Sequence, residues 1–292
     1  MSVAEPAASS AGEVRAVRRR LEVLAAGILW SLGGVFIKSI AAPAPVIAAT
    51  RSFFAALVFA PFVRRLPSPS LAAVAGSVVT YTGVVGLLVW STKVTTAANA
   101  IILQYTAPAF VFLIEALRGA RPSRRDLMTL AGGMAGVAVI YLGSEPGDLL
   151  GISTAIASGV FFAAWMVIAG AARGVDPLSL TVANNLGAAA ILTPFALASH
   201  VGTPRPGPLL ALALMGLLQL GLPYVLFTRS LGRISSSEAS LLALAEPVAN
   251  PVWVALFVGE VPSRATIAGG AVILATLALR YLWPMAPARA GA

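Results

Sequence analysis

Cysteine is absent from this chain, and histidine occurs once. Without cysteine there are no disulfides, no thiol nucleophile and no thiolate metal site. The one histidine, His200, stands in "SHVGTPRPGP", which has the composition of a loop, where an imidazole is ordinarily solvated. Charge is scarce as well: 11% of the 292 residues are charged, against about 25% in soluble domains. No polar block is long enough to enclose a soluble core. No Walker-type phosphate loop is present, so ATP hydrolysis by this chain is not expected. No cofactor and no metal is expected.

What fills the chain is apolar. Hydrophobic residues make up 58% of it, and the mean hydropathy is +0.89. An α-helix needs about 20 apolar residues to cross a bilayer. Ten segments come near that length: 22–41, 44–63, 70–91, 96–117, 125–142, 148–171, 177–199, 208–230, 236–258 and 264–283. The expected fold is an all-α polytopic membrane protein with ten transmembrane helices. Residues 1–21, ending in "RAVRRR", read as a disordered basic tail, and 284–292 as a second tail. A basic start also resembles a signal peptide. The run that follows is long, holds Lys38 and leads into further spans, which favours a retained first helix.

The basic residues set the orientation. Alternating sides across ten spans puts fifteen of the twenty on the side of the N-terminus. Four fall opposite (Lys38, Lys93, Arg205 and Arg264), and Arg51 is left within the second span. Cytoplasmic loops collect Lys and Arg, so both termini are expected in the cytoplasm. The net charge of +9 is then a topological signal, and no nucleic-acid partner is expected.

The halves repeat. "ANAIILQYTAPAFVF" (98–112) resembles "EASLLALAEPVANPV" (238–252), and "RPSRRDLMTLAGGMAGVAVIYLG" (121–143) resembles "VPSRATIAGGAVILATLALRYL" (261–282). Pro108 pairs with Pro247, and Pro122 with Pro262. The repeats run over 22–143 and 147–283, five spans each. An odd number of spans inverts the second copy. Inverted repeats are a common transporter plan, with the substrate site at their interface near the midplane.

The residues "ILWSLGGVFIKS" (28–39), "ATRSFFAALV" (49–58), "ANAIILQYTAP" (98–108) and the long run 224–274, with "GEVPS" inside it, are similar to the EamA family. That family belongs to the drug/metabolite transporter superfamily. The resemblance covers about residues 22–282. It implies ten helices in two inverted five-helix repeats with both termini cytoplasmic, and an alternating-access carrier in the cell inner membrane, often an exporter of amino acids or related metabolites. The family's cargoes are diverse, so the cargo does not carry over.

Ionisable groups within the bilayer cost about 2.5–3.5 kcal/mol on the insertion scale, and so mark a pathway or a partnered structural site. Glu246 is the deepest. On a continuous helix Ala239, Ala243, Glu246, Asn250, Trp253 and Phe257 form one stripe. Glu246 then either takes up a proton or an amine, or satisfies backbone groups freed by Pro247 and Pro251. The first half carries Thr106 and Ala107 where the second has Ala245 and Glu246, so a cavity between them would be chemically lopsided. Candidate lining residues are Trp30, Tyr81, Asn99, Gln104, Tyr105, Trp165, Gln219, Glu246, Asn250 and Trp253, with spans 1, 3, 4, 6, 8 and 9 as the main walls. Tyr224 and Trp90 are further candidates, though Trp and Tyr also favour the lipid interface. Arg51 reads as one half of a structural pair or as a cation for a substrate carboxylate. Lys38 reads as snorkelling to the outer surface, and Glu115 as an interfacial partner of Arg118. Gly132 and Gly136 read as a helix-packing face, within or between protomers.

Taken with the resemblance, which is what implies carriage, the expectation is a secondary carrier of small molecules, most of all amino acids, working in the bilayer as a monomer or homodimer. Organic cations, nucleobases and sugar-like metabolites are the alternative cargoes. An intramembrane enzyme would need paired acids or a Ser/His or metal cluster, and a channel would need repeated polar rings. Neither pattern is visible.

Overall fold

A computed structural model describes residues 6–63, 70–121, 123–171, 176–199, 206–230 and 233–282. His200, Pro122, the tail 284–292 and the loop cations Arg64, Arg65, Arg173, Arg205 and Arg289 lie outside them. The described residues are helical and form no strand. In lipid every backbone group must find a partner within the protein, and a helix supplies one for each.

Span 1 is α1 (Pro6–Ser31) continued by α2 (Gly33–Ser39) after a break at Leu32. Helix α1 thus begins within the stretch expected to be a disordered tail, whose alanines and arginines are good helix formers. Span 2 is α3 (Ala44–Phe59), entered through Pro43. Span 3 is α4 (Leu71–Val94), capped by Ser70. Span 4 is split into α5 (Ala97–Gln104) and α6 (Ala107–Leu117). Span 5 is α7 (Arg124–Leu142), which opens on a capping box between Ser123 and Asp126. Spans 6 and 7 are α8 (Leu149–Ala171) and α9 (Pro177–Ala198). Span 8 runs through α10 (Pro206–Leu214), a π-helical segment (Met215–Gly221) and α11 (Leu222–Ser230). Span 9 is split into α12 (Ser236–Ala243) and α13 (Ala245–Val258), and span 10 is α14 (Arg264–Leu282).

Among the described residues nine helices are long and apolar enough to cross a membrane. The tenth segment, α3, has 16 residues. At 1.5 Å per residue that is about 24 Å, short of a hydrocarbon core of about 30 Å. The burial pattern is that of a multi-pass membrane protein. Phe53, Leu57, Phe195, Leu218 and Leu256 face outward, while Ser31, Arg51, Asn184, Asn185, Gln219 and Asn250 are buried.

The packing has an approximate two-fold relation between the halves. Span 3 lies on span 6 as span 8 lies on span 1, and span 4 lies on span 6 as span 9 lies on span 1. The breaks in spans 4 and 9 obey the same relation. A Cβ on Gly159 of span 6 would stand 3.2 Å from the Leu103 carbonyl oxygen. A Cβ on Gly27 of span 1 would stand 3.6 Å from that of Leu242. Leu103 and Leu242 occupy matching places in α5 and α12. One apolar cluster gathers spans 4, 5, 6, 9 and 10 around Leu103, Ile140 and Ile273. Another gathers spans 1, 2, 3 and 8 around Ile37, Ile47 and Met215.

Candidate functional site

Between these clusters lies a cavity lined by Trp30, Gly33, Gly34 and Ile37 of span 1, Arg51 of span 2, Leu88 and Thr92 of span 3, Ala97 and Ile101 of span 4, Gln219 of span 8, and Glu246 and Asn250 of span 9. It draws on both halves. Its volume is about 20 Å³, room for about one water. Span 2 enters the lining and span 6 does not.

The break in span 1 builds one wall. It exposes two successive carbonyls, and each is taken by an amide from another span. Gln219 Nε2 donates to the Trp30 carbonyl at 2.9 Å, and Asn250 Nδ2 to the Ser31 carbonyl at 2.9 Å. Trp253 Nε1 donates to Ser31 Oγ at 3.0 Å. Glycines make room for the amides: a Cβ on Gly33 would come within 2.8 Å of Gln219 Nε2, and one on Gly34 within 2.7 Å of Asn250 Oδ1. Because each amide nitrogen is fixed by a carbonyl, each amide oxygen is fixed too. Gln219 Oε1 and Asn250 Oδ1 have no hydrogen-bond partner among the described residues, and neither do Trp30 Nε1 and Arg51 Nε. Gln219 sits in the π-helical segment, a distortion frequent at functional sites.

The break in span 9 builds the opposite wall. Pro247 has no N–H, so the carbonyl of Ala243, four residues earlier, loses its helical donor. The Tyr105 hydroxyl stands 3.1 Å from that carbonyl and 2.8 Å from Glu246 Oε2. The group at the freed carbonyl is therefore Tyr105, from the other half, and Glu246 reaches the break through it. Arg51 and Glu246 act on each other electrostatically, but no ion pair within 4.0 Å joins Arg51 to any acid among the described residues.

Other candidates lie off the cavity. Asn99 donates to Thr95 Oγ1 at 3.1 Å and accepts from Thr266 Oγ1 at 2.7 Å, tying span 4 to span 10. Gln104 donates to Ser158 Oγ at 2.8 Å, and Ser158 donates to the Val84 carbonyl at 3.0 Å. Tyr81 donates to Asn185 Oδ1 at 3.1 Å and packs against Trp165, which stacks on Phe162. Tyr224 lies edge-on to Trp30 at 5.1 Å. Trp90 is 43% exposed and faces outward. Glu115 and Arg118 are exposed and form no ion pair with each other, as hydrated surface charges often do not. Asn184 and Asn185, unweighed in the sequence, supply buried partners to Ser77 and Tyr81; adjacent asparagines in an apolar run were the available signal.

Both ends of span 1 are ion-paired to the flanks of span 9. At one end Arg20 pairs with Glu238. At the other, Lys38 Nζ lies 2.6 Å from Glu260 Oε2 and donates to the Thr95 carbonyl at 2.7 Å. Glu260 Oε1 accepts from the Ala97 N–H at 2.7 Å. Lys38 is thus anchored rather than snorkelling.

The sequence profile of the EamA-like transporter family matches residues 21–142 and 149–282, one copy on each half. The chain belongs to the EamA-like transporter family. It is therefore a membrane transporter of the drug/metabolite type and not an enzyme. An uncharacterized transporter of Archaeoglobus fulgidus is 28% identical over 264 residues, covering 89% of this chain and 94% of that protein. A solved crystal structure superposes with a TM-score of 0.66 at 18% identity, over 90% of this chain and 96% of that one, which speaks to the fold alone.

Proposed function

We propose that this chain is an alternating-access secondary carrier that moves small metabolites, amino acids foremost, outward across the cell inner membrane. The topology this reading takes is ten spans in two inverted repeats, with α3 as the short one and both termini cytoplasmic. It works as a monomer or homodimer in the bilayer, with no nucleic-acid partner and no cofactor. The supporting observation is the lining of the contracted cavity. It carries unpartnered acceptors, Gln219 Oε1 and Asn250 Oδ1, and unpartnered donors, Trp30 Nε1 and Arg51 Nε. Atoms of both kinds suit a cargo carrying both an ammonium and a carboxylate. Room for about one water, with ion pairs at either end of span 1, suits a carrier closed at both ends.

The test is flux. Proteoliposomes holding the purified chain should exchange labelled amino acids saturably. A panel of amines, nucleobases and sugars tests the other cargoes. Flux of any of these without flux of amino acids would overturn the cargo assignment.

A further inference from the structure

We propose that Arg51 is the carboxylate-binding pole of the cavity, so that carriage requires a carboxylate on the cargo. This rests on the carrier reading above and deepens it. Arg51 is 3% exposed, lines the cavity and leaves Nε without a partner. A guanidinium stays charged in proteins. A buried charge with no partner is strongly destabilising, so a structural role would show an acid at contact distance. Glu246, the acid that acts on Arg51, is bonded to Tyr105 instead. The other titratable groups near Arg51 are the phenols of Tyr81 and Tyr224, which are neutral near pH 7 and so supply no counter-charge.

The backbone beneath Arg51 is held in place. A Cβ on Gly216, in the π-helical segment, would come within 2.6 Å of the Arg51 carbonyl oxygen, so span 8 presses directly on span 2 there. The guanidinium is thus presented from a fixed platform, and its planar fork matches a carboxylate. A phosphate dianion fits poorly. Among the described residues no second cation lines the cavity, and Glu246 would repel the extra charge.

The experiment is thermal unfolding of the purified full chain in detergent, wild type against Arg51→Gln and Arg51→Lys. The probes are L-leucine, 4-methylpentanoate, L-leucinamide and 3-methylbutylamine, which keep or drop the carboxylate on one carbon frame. Without probe, Arg51→Gln should melt at or above the wild-type temperature, because it removes an unpaired buried charge. The two carboxylates should stabilise the wild type and bind Arg51→Gln about 10- to 100-fold more weakly. Arg51→Lys should fall between, and the amide and amine should not distinguish the variants. Melting of Arg51→Gln several degrees lower without probe would make Arg51 a structural partner of Glu246 and overturn the proposal. Equal stabilisation of wild type and Arg51→Gln by the carboxylates would overturn it, and so would a wild type that no carboxylate stabilises. Carboxylate binding without flux in proteoliposomes would sink the carrier reading instead and leave the role of Arg51 standing.

Discussion

At the scale of single residues, Glu246 and Tyr105 are the pair to separate. Tyr105 bridges the carbonyl freed by Pro247 and the Glu246 carboxylate. Glu246→Gln keeps the acceptor for Tyr105 but cannot titrate. We expect it to fold like the wild type and to lose accumulation driven by a pH gradient. Glu246→Ala should keep Tyr105 on the Ala243 carbonyl and so lose transport with a smaller loss of stability than Tyr105→Phe. Tyr105→Phe removes the one donor proton that these two acceptors share, at a cost of about 1–3 kcal/mol if they stay dry. Melting temperatures and pH-dependent flux of the three variants decide this; wild-type pH dependence in Glu246→Gln would make the carboxylate structural. The sequence made Glu246 conspicuous because it is an acid in an apolar run. It could not reveal Tyr105 as the group at the break, since the contact spans 138 residues. Arg51 was equally visible, but its lack of an acid partner is a fact of three dimensions.

At the scale of elements, breaks and crossings decide what each span can do. Prolines mark the breaks in spans 4 and 9, so those were readable. The break in span 1 has only "SLGG" behind it, and the π-helical segment of span 8 has no proline at its start. Amides from spans 8 and 9 take the carbonyls freed in span 1, while Pro223, two residues past the π-helical segment, has no N–H to offer the Gln219 carbonyl inside it. The glycines of span 5 were readable as a packing face but not as to partner. Their partner is span 10 within the same chain, where a Cβ on Gly136 would come within 2.6 Å of the Gly269 carbonyl oxygen. That oxygen is backbone and cannot swing aside. Gly136→Ala should therefore force α7 and α14 apart and cost about 1–3 kcal/mol, as overpacking does. Gly147→Ala, with open space around it, is the control. Equal melting of the two variants would show that the crossing is looser than described.

At the scale of the whole molecule, the ion pairs at the two ends of span 1 become the argument. Arg20 and Lys38 are 18 residues apart, or about 27 Å along a helix. Each holds span 1 to a flank of span 9, and the cavity lies between them. A carrier that opens at one end at a time must break one pair while the other holds. Weakening one pair then shifts the population toward opening at that end, by no more than the difference in free energy between the two states. Glu260→Gln should favour opening at the Lys38 end, which the charge count places outside, and Glu238→Gln opening at the Arg20 end. The absence of cysteine gives a clean background for measuring this. Thr92→Cys places a thiol in the cavity wall, where the native side chain is buried. In cells, a membrane-impermeant thiol reagent applied from outside should label Thr92→Cys faster in the Glu260→Gln background and slower in the Glu238→Gln background. Labelling that is unchanged in both would mean the pairs are surface ornaments worth little, as most exposed ion pairs are. Labelling that rises in Glu238→Gln and falls in Glu260→Gln would place the Lys38 end in the cytoplasm, and with it reverse the orientation proposed from the loop charges.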